Sequence, residues 1–397
     1  MKKSIKNLAS FFVICSLLIT TFSYPVHCET DNISSDLDNS VVDYDYLKQP
    51  QVNWEAYKEK VEVRGIYVTA NSLGNKASFD RLLGIVKNTE INAMVIDIKE
   101  DLGILAYKPD IEFVKQNGLD KNTKVRNFYD RIETLKKNNV YLIARIVTFK
   151  DTNAGSKRPD LAIKTKSGRV WRDNKGNVWL NPFNEQAWEY PISIAADAAL
   201  NGFNEIQFDY VRFPTGGNKG SISYGQAEQS MTKADAISGF LKKAREELEP
   251  LGVYVSADIF GDIINNKNDS GIGQNLEMLA GATDILCPMV YPSHYAMGSY
   301  GAKYPDSQPY TIVYNAMKRA KDRIDKSDNS RKAILRPWLQ DFSATWLKKD
   351  YGSNWIPYKE PQIQAQIKAT KDAGLNEWIF WNASNRYTVN AFKNLEQ

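Results

Sequence analysis

The 397-residue sequence predicts an α/β fold, a (β/α)8 TIM barrel with long loops after strands three and six. Three observations carry that prediction. Eight apolar runs of strand length recur along the chain. Segments with apolar residues at three-to-four spacing stand between them. Ionisable residues gather where the runs end, at the side on which a barrel opens its pocket. Continuous apolar strands separated by helices mean a parallel sheet with both faces covered. A doubly wound open sheet is the alternative, but no G-x-G-x-x-G fingerprint follows a run.

The chain begins with Lys2, Lys3 and Lys6, then the apolar stretch LASFFVICSLLIT, too short for a comfortable membrane span. Residues 1–28 read as a signal peptide. Export to the cell envelope or the medium follows, with membrane association expected only if this segment stays uncleaved. Residues 29–60 are polar and acid-rich, a linker. The barrel domain takes 61–397.

Its runs are VRGIYVTA from Val63, INAMVIDIKED from Ile91, VYLIARIVTF from Val140 and FNEIQFDYVRFP from Phe203. VYVSADIFG from Val253, TDILCPMVYP from Thr283, KAILRPWLQDF from Lys332 and NEWIFWNAS from Asn376 complete the set. Amphipathic stretches such as SFDRLLGIVKNT and MTKADAISGFLKKAREELEPLG supply the covering helices. The insertion from Lys150 to Gln186 follows the third run, and KSGRVWRDNKGNVWLNP within it reads as a small β-ribbon. SHYAMGSYGAKYPDSQPY follows the sixth. Both loops belong at the C-terminal face, where barrel enzymes build their sites.

Composition narrows the chemistry. A net charge of +4 without a basic block excludes a nucleic-acid reader. Removing the leader takes Cys15 and Cys28 and leaves Cys287, so no disulfide framework exists. Of two histidines, His27 lies at the leader boundary and His294 remains. One histidine and one cysteine make a poor zinc site. Neither metal nor cofactor is expected, and carboxylates are the default reagents.

Asp97 and Lys99 end run two, Arg145 lies in run three, and Asp209, Tyr210 and Arg212 end run four. Asp258 lies in run five, Tyr291 and His294 follow run six, Arg336, Gln340 and Asp341 mark run seven, and Trp381 ends run eight. Each alone has a structural reading, as a cap, a loop residue or a partner charge. Together they line a polar pocket. Asp209 and Asp258 end neighbouring strands, so they can flank one bond, and glycoside hydrolysis needs two carboxyl groups. Trp179, Tyr210, Tyr291 and Trp381 offer flat apolar area to sugar rings, with packing as the competing explanation.

The motifs VRGIYVTANSLGN, INAMVIDIKEDLG, RPDLAIKTKSGRVWRD with WLNPFN, GFNEIQFDYVRFP and DILCPMVYPSHY together resemble the "putative glycosyl hydrolase" domain family of bacterial secreted proteins. The resemblance implies a barrel distantly akin to α-amylase-type glycosidases. In those relatives a strand-four aspartate is the nucleophile and a strand-five acid the proton donor. Asp209 and Asp258 match by strand order, although strand five here carries Asp where those relatives carry Glu.

These readings converge on an exported glycoside hydrolase acting on a polysaccharide or oligosaccharide. Asp209 is the nucleophile or charge stabiliser and Asp258 the general acid/base. Asp97, Lys99, Arg145, Trp179, Tyr210, Arg212, Tyr291, His294, Arg336, Gln340, Asp341 and Trp381 orient acids or bind substrate. Two alternatives stand beside it: a non-catalytic carbohydrate-binding barrel, and a hydrolase holding magnesium or calcium on Asp97, Asp209 and Asp258.

Overall fold

The computed structural model describes residues 58–393. The expected leader and most of the expected linker lie outside them. Eight parallel strands close into a barrel. They are β1 (Arg64–Val68), β2 (Ala93–Lys99), β3 (Tyr141–Val147), β4 (Glu205–Asp209), β5 (Tyr254–Phe260), β6 (Ile285–Met289), β7 and β8 (Trp378–Trp381). β7 comes in two pieces, Ile334–Leu335 and Trp338–Gln340. The single run expected there is broken at Pro337, which has no N–H to give the ladder. Pairing follows chain order from β1 to β6, both pieces of β7 pair with β6, and β8 joins β7 to β1.

A main helix crosses between each pair of successive strands, long in all but the two-turn α5: α1 (Lys76–Asn88), α2 (Phe128–Lys137), α3 (Glu189–Leu200), α4 (Lys233–Leu248), α5 (Leu276–Ala282), α6 (Pro309–Asp325) and α7 (Glu360–Asp372). Local sequence fixes their starts. The Asn75 side chain accepts from the Ser78 N–H ahead of α1, and Thr232 with Asp235 forms a reciprocal capping box on α4.

Two apolar cores follow from the period-two alternation of strand side chains. Ile66, Met94, Leu142, Ile206 and Val255 point outward and pack under the helices. Tyr67, Val95, Ile143, Cys287, Trp338 and Ile379 point inward and fill the barrel. Cys287 is fully buried, and its Sγ accepts from Gln207 Nε2 at 3.2 Å, which makes it a packing residue.

Polar layers sit above and below this inner core. At the N-terminal end Arg336 bonds Glu205 and Glu377. At the C-terminal end the inward parity that carries Ile143, Gln207 and Ser256 next presents Arg145, Asp209 and Asp258. The expected ribbon forms through bridges such as Arg172↔Val178 and Ala162↔Leu180. It is extended by pairing of Lys164–Thr165 with Ile222–Ser223 from the loop after β4. The loop after β6 folds into short turns at Pro292–His294, Ser299–Gly301 and Pro305–Ser307.

Candidate active site

A pocket of about 740 Å³ opens at the C-terminal end of the strands. Asp209 and Asp258 both line it. Phe208 pairs with Ala257 across β4 and β5, so one further step sets the two acids side by side on adjacent strands. Their surroundings differ. Asp209 Oδ2 accepts from Arg145 Nε at 3.0 Å and from Arg145 Nη2 at 2.5 Å, and its Oδ1 accepts from the Tyr210 N–H. Asp258 is only 2% exposed, and its Oδ1 accepts from Trp338 Nε1 at 2.6 Å. Burial, reinforced by the charge of Asp209, pushes Asp258 well above the usual carboxylate range.

Arg145 ties the acids together. Its Nη1 donates to Asp97 Oδ1 at 2.6 Å while its other edge holds Asp209. Tyr67 donates its O–H to the second oxygen of Asp97. Burial raises Asp97 from its ordinary value and Arg145 opposes that rise. The Tyr67 ring stacks on Trp381 with centroids 3.9 Å apart, and the guanidinium of Arg145 lies 5.6 Å and 5.5 Å from these two rings. Asp97 is therefore a support behind Arg145 rather than a wall of the pocket. The guanidinium also stands between Asp97 and Asp209, where a metal shared by these carboxylates would have to sit. Among the described residues no group of three His, Cys, Asp or Glu side chains converges as a metal site.

The loop after β4 makes one wall. Tyr210 adopts a left-handed backbone, φ 49°, a conformation few non-glycine residues take. Its ring meets Trp179 edge-on at 6.0 Å, and Arg212 lies over both. Trp179 supports this wall from behind, its indole N–H given to Asp173. Tyr291, His294 and Trp381 also line the pocket, together with Phe260, Asp262 and Tyr295. Gly261 follows β5 where a Cβ would come within 2.6 Å of the Met289 carbonyl oxygen, so only glycine lets β5 and the end of β6 approach so closely.

Four residues expected at the site are placed elsewhere. Lys99 is buried outside the barrel axis, its Nζ bonded to Asp151 Oδ2 at 2.7 Å, because the β2–β3 register shifts between Asp97 and Lys99. Arg336 lies at the opposite end of the barrel, since it precedes the break at Pro337. Gln340 accepts from the Ser293 N–H and donates to Asp306, fastening the loop after β6. Asp341 accepts from the N–H and Oγ1 of Thr388, fastening the segment after β8. Conversely, Tyr67, Phe260 and Asp262 were not expected at or beside the site. The aromatic of RGIYV shares a strand face with Gly65 and offers no charged strand end to betray it.

Fold and pocket define the class: a (β/α)8 barrel with a carboxylate-lined mouth walled by aromatic rings. The chain belongs to the family described as "putative glycosyl hydrolase domain", whose model matches residues 65–387. It is thus a glycosyl hydrolase-type barrel. A hypothetical protein from Ruminiclostridium thermocellum is 40% identical over 49% of this chain and 96% of its own, with a TM-score of 0.45. The glycoside hydrolase domain of PgaB (BpsB) from Bordetella bronchiseptica matches 85% of this chain and all of its own at 12% identity, TM-score 0.60. Alpha-L-fucosidase isoenzyme 2 from Paenibacillus thiaminolyticus matches 83% of this chain and 48% of its own at 12% identity, TM-score 0.53. These last two likenesses are of fold. Nothing among the curated proteins matches the chain.

Proposed function

We propose that this protein is an exported glycoside hydrolase that cleaves a glycosidic bond in a cell-surface or extracellular polysaccharide through two carboxylates. The observation that carries the reading is the contrast between the two neighbouring acids. Asp209 meets a guanidinium, whereas Asp258 meets burial and a single indole N–H. Glycoside hydrolysis needs one carboxyl group that keeps its proton and one that is ionised. Asp258, pushed upward by burial, suits the proton donor. Asp209 suits the nucleophile or the stabiliser of positive charge at the anomeric carbon.

In this scheme the Trp338 N–H holds Asp258 Oδ1, which leaves Oδ2 to give its proton to the departing glycosidic oxygen. Asp209 meets the anomeric carbon from a position that Arg145 fixes. Water completes the reaction as Asp258, now ionised, takes its proton. Tyr291 and Trp381 offer ring faces to the sugar. Export is supported by the lysine-led apolar leader at residues 1–28.

The test is release of reducing ends from bacterial surface polysaccharides by wild type, Asp209→Asn and Asp258→Asn. Each variant is expected to fold and to lose roughly 10²–10⁴-fold in rate. An activated aryl glycoside of the same sugar separates the roles, because its leaving group needs no proton. Asp258→Asn should cleave it and Asp209→Asn should not. Full activity in either variant removes that residue from the mechanism. Sugar binding without turnover by the wild type would make the protein a carbohydrate-binding barrel instead.

A further inference from the structure

Three arginines reach the barrel interior or its mouth, and two have spent their donors on carboxylates. Arg145 bonds Asp97 and Asp209, and Arg336 bonds Glu205 and Glu377. Arg212 differs. It lines the pocket and is 6% exposed, yet among the described residues it has no carboxylate within 4.0 Å. Its one hydrogen bond among the described residues runs from Nη1 to the Phe213 carbonyl oxygen at 2.9 Å. Trp179, Tyr210 and Phe260 surround the guanidinium, with centroids 5.1, 4.9 and 4.6 Å from its carbon.

Rings this close attract the cation but give its N–H groups no oxygen to bond. With Nη1 engaged, the free edge is the Nε–H and Nη2–H pair, which grips a planar anion with two parallel bonds. The same edge of Arg145 holds Asp209 in this pocket. Nor is the edge of Arg212 sealed off: the buried polar atoms left without a partner include Nε and Nη1 of Arg245 but no atom of Arg212. Burying a cation is costly, ring faces offset only part of that cost, and Asp209 and Asp101 act on Arg212 only from beyond ion-pair distance. Asp209, the acid nearest in sequence, is already held by Arg145.

We propose that Arg212 is a specificity residue for an anionic group on the substrate, a carboxylate or a phosphate borne by the sugar that lies against Asp209 and Asp258. This rests on reading the pocket as a glycoside hydrolase site, and it narrows the substrate to an acidic polysaccharide.

The experiment titrates the full-length protein with glucuronate, glucose 6-phosphate and glucose at constant ionic strength, following ligand-observed NMR and the thermal midpoint. Wild type should bind at least one anion about tenfold more tightly than glucose, and the preferred anion identifies the group. Arg212→Gln should lose the preference. Arg212→Lys, which keeps charge without the fork, should lose the preference for glucuronate while keeping part of any for the phosphate. Should Arg212→Gln fail to fold by circular dichroism, Arg212→Lys carries the comparison. Equal binding of all three ligands, binding of neither anion, or a preference that survives in both variants overturns the proposal. The catalytic reading fails separately. If Asp209→Asn still cleaves polysaccharide while Arg212 governs anion binding, the mechanism falls and this inference stands. If Asp209→Asn is inactive but the wild type cleaves neutral chains as fast as acidic ones, the inference falls and the mechanism stands.

Discussion

Asp258 owes its chemistry to its surroundings. It is buried beside a second acid, and its carboxyl keeps the proton at pH values where an exposed aspartate has lost it. The sign for stability follows. Between the ordinary carboxylate value and the raised one, the folded state binds a proton that the unfolded chain does not, so stability falls as pH rises through that window. Asp258→Asn removes this dependence. Its stability relative to wild type should therefore grow with pH across the window and level off above it, as read by urea denaturation at a series of pH values. A constant difference would mean that Asp258 titrates like an exposed acid. Trp338 makes a second case, because its indole N–H favours the ionised form. In Trp338→Phe the alkaline limb of the rate profile should move to higher pH, and turnover should drop roughly tenfold as the carboxyl loses its orientation. A limb that stays in place would put the proton donor elsewhere.

At the scale of the strand, the end of β2 shows what a bulge does. Alternation would aim Lys99 at the axis like Asp97, but the register shift turns it under α3, where its Nζ lies 5.1 Å from the Tyr190 ring. There it pairs with Asp151, whose other oxygen accepts from the Ala154 N–H and caps the short helix Thr152–Lys157. Lys99→Met should strand a buried carboxylate and cost about 3–5 kcal/mol. Adding Asp151→Asn should recover most of it, which a double-mutant cycle by denaturant unfolding measures. An additive cycle would deny the coupling. This is also where the sequence stops being readable. The eight runs, their order and the placement of Asp209 and Asp258 on neighbouring strands follow from periodicity and chain order. The sidestep of Lys99 does not, because one extra residue in a ladder leaves no mark in composition. Arg336 was read at the mouth because its run looked continuous, and Pro337 was the missed signal that the strand breaks there. Tyr67 escaped because a tyrosine in an apolar strand reads as core until its hydroxyl finds Asp97.

For the whole molecule the question is how the barrel closes. β7 is the weak stave, with two short pieces around Arg336 and Pro337 and one register pair, Trp338↔Met289, between its second piece and β6. Arg336 compensates from inside. Its Nη1 reaches Glu205 on β4, across the axis, at 2.8 and 2.7 Å, and its Nε reaches Glu377, just before β8, at 2.6 Å. One buried cation thus joins three staves beneath the inner core, far from the pocket. Removing it leaves two largely buried carboxylates without their counter-charge, which is the expensive way to break a buried network. Arg336→Met should lower unfolding free energy by about 3–5 kcal/mol at neutral pH. Burial already raises Glu377 against the pull of Arg336, and without that pull it rises further. A raised carboxylate binds its proton more tightly when folded, so the deficit should shrink as pH falls toward the ordinary carboxylate range. Urea unfolding of wild type and variant at neutral and mildly acidic pH measures both parts. A deficit that does not change with pH would mean that lost packing, rather than stranded charge, holds the seam.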